Sequence, residues 1–230
     1  FRNIRKSVHF FLSTNFSEIM VMSSAMALGV GFPLNVMQLL WINLVTDIFP
    51  GLALSLEPPE PDIMEREPRD PEESMVAGQD LKAMTIESGI IGVGTMAAYI
   101  YGLRRYGPGA AASTLAFNTL TLNELAHAYS SRSEHRHVFN RNSGLPANPH
   151  LNKAILGMAG LQALVSFLPG FRRILGTAPM GVLDMLVIAG GVLGPLVVNE
   201  AMKPAMPAVI DVDPEINDVD EEENQADDLS

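Results

Sequence analysis

Long apolar stretches, separated by polar segments, dominate the hydrophobic pattern of this chain. Six of them are long and apolar enough to cross a bilayer, which takes about 20 residues per helix. They lie near residues 7–30, 34–56, 83–103, 111–130, 152–170 and 179–201. Glycine and proline recur within them, as transmembrane helices tolerate. The pattern predicts an all-α, polytopic bundle of six transmembrane helices; the alternative is a soluble helical protein with apolar core helices.

The connections between these stretches alternate in length. Residues 57–82 and 131–151 are long and polar, and the other three connections are short. Of the 15 Lys and Arg residues, eleven fall on the side of the long connections and the two termini, and four fall opposite. Because Lys and Arg are in excess in cytoplasmic loops, we expect an integral membrane domain with both termini in the cytoplasm.

The acidic residues are concentrated in two segments of the chain. Of 26 Asp and Glu residues, ten follow Ile210 and nine lie between Glu57 and Asp80. A tail with almost no apolar side chains to bury is expected to be disordered. We therefore divide the chain into a six-helix membrane domain over 1–202 and an acidic cytoplasmic tail over 203–230. Cysteine is absent, which excludes disulfides and thiolate metal ligands.

Polar side chains recur at helical spacing inside the apolar stretches. In the first stretch Asn15 and Glu18 are three residues apart and so share a helix face. In the second stretch Asn43, Thr46 and Asp47 stand at positions i, i+3 and i+4, again on one face. A carboxylate in an apolar span is costly to bury, so these positions need a compensating partner.

A proline stands three residues beyond Asp47. Pro50 cannot continue the helical hydrogen bonding and clashes with the preceding turn, so we expect a local unwinding that frees backbone carbonyls beside Asp47. The fourth stretch brings Asn123 and Glu124 to a comparable depth.

Three carboxylates and several neutral oxygens facing one another are what a hard cation requires. Calcium takes about 6–8 oxygen ligands and tolerates irregular geometry. The side chains that could provide such a site are Asn15, Glu18, Thr46, Asp47 and Glu124. Asn43 and a shared Asp47 would make half of a second site. Hydrogen bonding between helices is the alternative, but it does not explain three acids in stretches without a basic residue to pair them.

Three segments carry a resemblance to a known family. "STNFSEI", "QLLWINLVTD" and "LALSLEPPEPDIMEREPRDP" resemble the membrane region of cation-pumping P-type ATPases, in particular the sarcoplasmic-reticulum-type calcium pumps and their bacterial relatives. The resemblance covers residues 1 to about 202, as the last six of that family's ten membrane helices. It implies alternating access driven by aspartyl phosphorylation elsewhere in the intact pump, with Ca²⁺ as the transported ion and Mn²⁺ as another possibility.

The resemblance also assigns residues by position. The family's first calcium site corresponds to Asn15, Glu18, Thr46, Asp47 and Glu124, and part of its second site to Asn43 and Asp47. Ile48 departs from the pattern, since the calcium pumps usually have Gly after this Asp. The implied partners are the lipid bilayer and the actuator, phosphorylation and nucleotide domains of the same pump, with no nucleic acid.

The motifs with which this family uses ATP do not occur in the 230 residues. There is no DKTG, no TGE and no P-loop GxxxxGK[ST]. ATP and Mg²⁺ would therefore act only in cytoplasmic domains outside this sequence, and whether the chain counts as an enzyme stays open. The chain opens on Phe1 without an initiator Met, so we expect a piece of a longer protein. The alternatives are an ATP-independent transporter and a non-catalytic membrane subunit.

The histidines are weaker candidates for metal ligands than the carboxylates. Glu124 and His127 have the Glu-x-x-His spacing of di-iron bundles, but such sites need the motif twice and two further Glu. A packed or loop-proximal role for His127 is the preferred interpretation. His135 and His137 fall in a cytoplasmic loop, where solvated residues are expected, and Glu87 is expected at the membrane interface.

Overall fold

The computed structural model of the chain describes residues 2–59, 76, 78–133, 138 and 145–203. Within these ranges the chain is helical and contains no strand, which confirms the all-α prediction. The helices are α1 (Arg2–Ala27), α2 (Val36–Trp41), a π-helical turn (Ile42–Thr46), α3 (Ile48–Ser55), α4 (Gly78–Tyr106), α5 (Ala110–Ser130), α6 (Pro149–Phe167), α7 (Pro169–Leu175) and α8 (Val182–Met202). The acidic tail from residue 204 onward and the loop histidines His135 and His137 lie outside the described residues.

Fewer helices than the six predicted are long and apolar enough to cross a membrane. By length and composition, three segments suffice to cross a membrane: Val36–Ser55, Asp80–Tyr106 and Val182–Met202. Helices α6 and α7, bent by 92°, make a fourth if they form one broken span. Helices α1 and α5 do not qualify, because charged and polar side chains interrupt their apolar residues. The described chain is therefore a helical bundle with three or four segments long and apolar enough to cross a membrane, not clearly six.

The fifth apolar stretch does not continue as one straight helix. Helix α6 ends at Phe167, and Leu168 adopts an extended conformation because Pro169 follows it. Helix α7 then begins at Pro169 and ends at Gly176, whose φ of 64° suits glycine. The residues from 171 to 175, predicted as part of a short connection, are therefore helical.

The second stretch contains a π turn where unwinding was predicted. The N–H of Asp47 donates to the carbonyl of Ile42, five residues back, at 3.1 Å. Pro50 stands in the first turn of α3, where N–H groups have no intrahelical acceptor, so its missing N–H is tolerated. The helix thus widens before Asp47 and resumes after it, so the departure from α geometry that was predicted beside Asp47 takes the form of a π turn, not of an unwound segment. Single π turns of this kind are frequent at functional sites.

Helix α5 lies at the centre of the bundle. It packs against α4, α6 and α8 and contacts α1, α3 and the π turn. Helices α4 and α8 approach closely at Gly94 and Gly191. A Cβ on Gly94 would lie 2.4 Å from the carbonyl oxygen of Gly191, so only glycine fits at this position. Since most of α5 is buried, its polar side chains face other helices and can assemble a site.

Two buried ion pairs connect helix ends on the side of the bundle where α1 begins. Arg5 donates to both carboxylate oxygens of Asp80, at 3.1 and 2.8 Å, which joins α1 to α4. Arg132 donates to Glu57 at 2.8 Å, which joins the end of α5 to the residue beyond α3. Both pairs are nearly inaccessible to solvent. They hold α1, α3, α4 and α5 in the arrangement that positions the polar interior.

Candidate cation-binding site

Three carboxylates from separate helices converge inside the bundle. Glu18 comes from α1, Asp47 from the junction between the π turn and α3, and Glu124 from α5. Their exposed fractions are 8%, 2% and 0%. Glu124 interacts electrostatically with both Asp47 and Glu18, and Asp47 with Glu18, so the three form one group, which we call the carboxylate cluster. Packing of α1 and the π turn against α5 brings these distant sequence positions together.

Neutral polar groups on the same helices hydrogen-bond to the carboxylate cluster. The amide nitrogen of Asn43 donates to both oxygens of Glu18, at 2.7 and 2.8 Å. The hydroxyl of Ser17 donates to Glu124 Oε1 at 3.3 Å. Thr14 lies beside Asp47, and its hydroxyl donates to the carbonyl of Phe11 at 3.1 Å.

Two oxygens of the carboxylate cluster have no hydrogen-bond partner among the described residues. They are Oδ1 of Asp47 and Oε2 of Glu124, and both are buried. In the same part of the chain, no Lys, Arg or His lies within ion-pair distance of any of the three carboxylates. Because an uncompensated buried carboxylate costs several kcal/mol, of order 3–5 when a partner is removed, these oxygens require compensation by a proton or by a cation.

Of the other predicted ligands, Thr46 lies near the carboxylate cluster and Asn15 does not. Thr46 is buried beside Asp47, and its hydroxyl donates to the carbonyl of Ile42 at 2.8 Å. Asn15 is exposed, and its amide donates to the carbonyl of Phe11 one turn back. The structure therefore brings Asn43, the carboxylates and Thr46 to one region and turns Asn15 away from it.

Two residues that contact the cluster were not predicted from the sequence. Thr14 and Ser17 are buried on the face of α1 that also carries Glu18. Their spacing of three and four residues along the helix is a signal that could have identified them. Asn123, expected at the depth of Glu124, instead donates to the carbonyl of Gly191 on α8 at 2.9 Å.

Comparison with known proteins identifies the family. The family model described as "Cation transporting ATPase, C-terminus" matches residues 31–205. The chain belongs to this family. It is the C-terminal membrane domain of a P-type cation-transporting ATPase, and it is accordingly an integral membrane domain.

The curated relatives of this ATPase domain include bacterial and animal proteins. A "Calcium-transporting ATPase" from Bacillus subtilis is 37% identical over 191 residues, covering 83% of this chain and 21% of the relative. "Calcium-transporting ATPase 1" from Bacillus cereus is 31% identical over 219 residues, 88% of this chain and 24% of the relative. "Calcium-transporting ATPase type 2C member 1" from Mus musculus is 30% identical over 203 residues, 88% of this chain and 22% of the relative. The chain thus spans about a fifth to a quarter of the length of these relatives.

A second polar cluster lies in the same ATPase domain, between α1, α4 and α5. His9 Nε2 lies 2.7 Å from Glu87 Oε2, and His127 Nε2 lies 3.7 Å from the same oxygen. His127 is therefore near Glu87, not in an arrangement with Glu124. Glu87, expected at the membrane interface, is only 12% exposed in its side chain. We call these three residues the histidine cluster.

Charged groups at the end of α8 lie near the histidine cluster. Lys203, just beyond the helix, contacts Glu200 at 2.5 Å and donates to the carbonyl of Ser130 at 2.8 Å. Burial lowers the pKa of the Lys203 ammonium, and Glu200 opposes this effect. Because Lys203 is paired with Glu200, the net charge of its neighbourhood is small.

Proposed function

We propose that this domain binds and translocates Ca²⁺ as the membrane part of an ATP-driven pump. The supporting observation is the carboxylate cluster, in which Asp47 Oδ1 and Glu124 Oε2 are buried without a hydrogen-bond partner in the described structure. A hard dication compensates several buried negative charges at once, whereas hydrogen bonding between helices would leave these oxygens unsatisfied.

The ligand set of the proposed site consists of oxygen atoms only. The proposed ligands are Glu18, Thr46, Asp47 and Glu124 for the first ion, and Asn43 with a shared Asp47 for part of a second. Asn15 enters the set on the family resemblance alone. Carboxylate, hydroxyl and amide oxygens suit Ca²⁺ and Mn²⁺ better than softer metals. We choose Ca²⁺ because the relatives described above are called calcium-transporting.

The energy for transport would come from other domains of the same pump. Aspartyl phosphorylation there, with ATP and Mg²⁺, would be transmitted to the membrane through α1, which carries Glu18. The actuator, phosphorylation and nucleotide domains are thus the proposed partners, together with the surrounding lipid. In this proposal α1 and α5 also cross the membrane, shielded by their neighbours, which gives six crossings over 1–202 with both termini cytoplasmic and an acidic tail over 203–230.

Transport by the full-length pump in sealed inside-out vesicles tests this proposal. We expect ATP-dependent uptake of Ca²⁺, with weaker uptake of Mn²⁺, and a loss of both on Glu124→Gln. Uptake that proceeds without ATP would instead identify an ATP-independent transporter. Uptake that needs a separate ATPase polypeptide would identify a non-catalytic subunit, and either result would contradict the proposal.

A further inference from the structure

The histidine cluster has the geometry of a metal site distinct from the carboxylate cluster. One ligand atom from each of His9, Glu87 and His127 lies within 4.8 Å of the other two. Each residue comes from a different helix, α1, α4 and α5 respectively. All three side chains are largely shielded from solvent, so their mutual orientation is set by the packing of the helices.

The chemistry of these ligands selects a class of metal. Two imidazole nitrogens and one carboxylate oxygen are the ligands of many zinc and other first-row transition-metal sites, in which a fourth position is left to water. Bonds of about 2.0–2.1 Å in a tetrahedral site place neighbouring ligand atoms roughly 3.3 Å apart. The distances from Glu87 Oε2 to His9 and His127, 2.7 and 3.7 Å, bracket this value, and the two histidine nitrogens lie within 4.8 Å of each other, so an ion needs side-chain shifts of about one to two ångströms.

The outer nitrogen of His127 provides an independent observation. His127 Nδ1 is buried and lacks a hydrogen-bond partner among the described residues, and so does Asn199 Oδ1. Both residues line one small cavity of about 10 Å³, enough for about one water molecule. A water there would accept the proton of His127 Nδ1 and donate to Asn199. This tautomer leaves the Nε2 lone pair available to a metal. In the structure Nε2 lies 3.3 Å from the hydroxyl of Ser131 and 3.7 Å from Glu87, so an ion would replace the contact with Ser131.

We propose that His9, Glu87 and His127 bind a divalent first-row transition metal, of which Zn²⁺ is the representative, at the junction of α1, α4 and α5. Lys203, which interacts electrostatically with Glu87 and His127, is paired with Glu200 and so does not oppose the ion with an uncompensated charge. Calcium is disfavoured here, because it prefers oxygen ligands only.

Such an ion would restrain the helix that carries part of the carboxylate cluster. His9 precedes Glu18 by nine residues on α1, about 13 Å along the axis, and His127 follows Glu124 by three on α5. An ion that ties α1 to α4 and α5 would oppose movement of Glu18 relative to Glu124. The structure therefore favours an inhibitory metal site, a role that rests on the proposed transport function, whereas metal binding itself does not.

Metal binding by the histidine cluster is tested on the full 230-residue chain in detergent. Co²⁺ serves as a spectroscopic substitute for Zn²⁺. Because the chain has five histidines, the starting variant carries Gln at the three outside the cluster, His135, His137 and His150. Saturating Ca²⁺ is present to occupy the carboxylate cluster. We expect visible ligand-field bands of Co²⁺ with nitrogen ligands, and their displacement by Zn²⁺.

Substitutions within this variant decide the assignment. His9→Gln and His127→Gln should each weaken Co²⁺ binding roughly tenfold or more. Asp184→Asn, at a buried carboxyl on α8 that hydrogen-bonds to Tyr106 and Gly181, should leave it unchanged. Glu87→Gln retains a hydrogen-bonding amide beside His9 but removes the charge, and it should also weaken binding. Circular dichroism checks that each variant stays helical. Absence of ligand-field bands, or bands that survive the His9 and His127 substitutions, would show a hydrogen-bonded cluster only and overturn the proposal.

The inhibitory role is tested separately on the full-length pump. Micromolar Zn²⁺ should slow ATP-driven Ca²⁺ uptake, and His127→Gln should relieve this inhibition. If the chain binds Co²⁺ at the cluster but Zn²⁺ inhibits the His127→Gln pump equally, the regulatory inference fails. If the pump transports no Ca²⁺ at all, the proposed function fails, and the Co²⁺ result still decides the metal site.

Discussion

The side-chain amide of Asn43 donates to both carboxylate oxygens of Glu18, at 2.7 and 2.8 Å. This contact joins the π turn to α1 at the carboxylate cluster. The amide nitrogen lies where a cation bound by both Glu18 oxygens would lie, so such a cation requires Asn43 to rotate and present its carbonyl oxygen. Asn43 thus serves as a hydrogen-bond donor to Glu18 and, after rotation, as a proposed ligand.

Asn43→Ala should weaken Ca²⁺ binding moderately. The substitution removes one neutral oxygen ligand and leaves all three carboxylates in place. The hydrogen bond to Glu18 that it also removes is present only without the ion, so its loss offsets part of the effect. We expect calcium affinity, measured by equilibrium binding to the full-length pump, to fall about tenfold, or about 1.4 kcal/mol. A loss as complete as that caused by removing a carboxylate would show that Asn43 dominates the site.

Asn15→Ala should have a smaller effect than Glu18→Gln. Asn15 is exposed and donates to the carbonyl of Phe11, whereas Glu18 belongs to the buried cluster. Calcium affinity of the 230-residue chain in detergent should change less than about threefold for Asn15→Ala, and by tenfold or more for Glu18→Gln. Equal losses in the two variants would mean that Asn15 turns inward to bind the ion.

Gly94→Ala should destabilise the bundle. The added Cβ would meet the carbonyl oxygen of Gly191 at 2.4 Å and the Pro195 ring at 2.5 Å, so α4 and α8 would have to separate. Overpacking of this kind costs about 1–3 kcal/mol. The matched control is Gly190→Ala, because a Cβ there meets nothing within 4 Å. Thermal unfolding followed by circular dichroism should show a lower Tm for Gly94→Ala only; equal Tm values would contradict the close approach.

Introduced thiols test the orientation predicted from the Lys and Arg distribution. The chain has no cysteine, so Pro108→Cys and His150→Cys each provide a single reactive group, and both positions are exposed. In sealed cells expressing the chain, an impermeant thiol reagent should label position 108 and should reach position 150 only after lysis. Labelling of position 150 from outside sealed cells would reverse the topology.

The helices were predictable from sequence because apolar stretches of membrane length have few alternative structures. The breaks within these helices were not predictable in the same way. The break at Leu168 lies inside a continuous apolar run, and only the restriction that Pro169 imposes marks it. Pro50 was correctly identified as a disturbance, but its position in the first turn of α3 depends on the π turn before it, which hydropathy does not show.

The polar interior was predictable in part. Glu18, Asp47 and Glu124 stood out because each is an acid in an apolar stretch, and the family resemblance connected them. The histidine cluster was missed because it depends on how α1, α4 and α5 are rotated about their axes. The Glu-x-x-His spacing of Glu124 and His127 did not indicate a partner for His127, which tertiary packing places near Glu87.

Asp47→Asn in the full-length pump tests the cation site most directly. Asp47 adjoins both other carboxylates, and the substitution preserves volume and one oxygen while removing a full charge. The matched control is Asp184→Asn, a buried carboxyl on α8 that accepts from Tyr106 and the N–H of Gly181, away from the cluster. The measurement is phosphorylation of the pump by ATP as a function of Ca²⁺ concentration. We expect calcium activation to be lost in Asp47→Asn and retained in Asp184→Asn. Wild-type calcium activation in a correctly folded Asp47→Asn pump would contradict the assignment of Asp47 as a cation ligand.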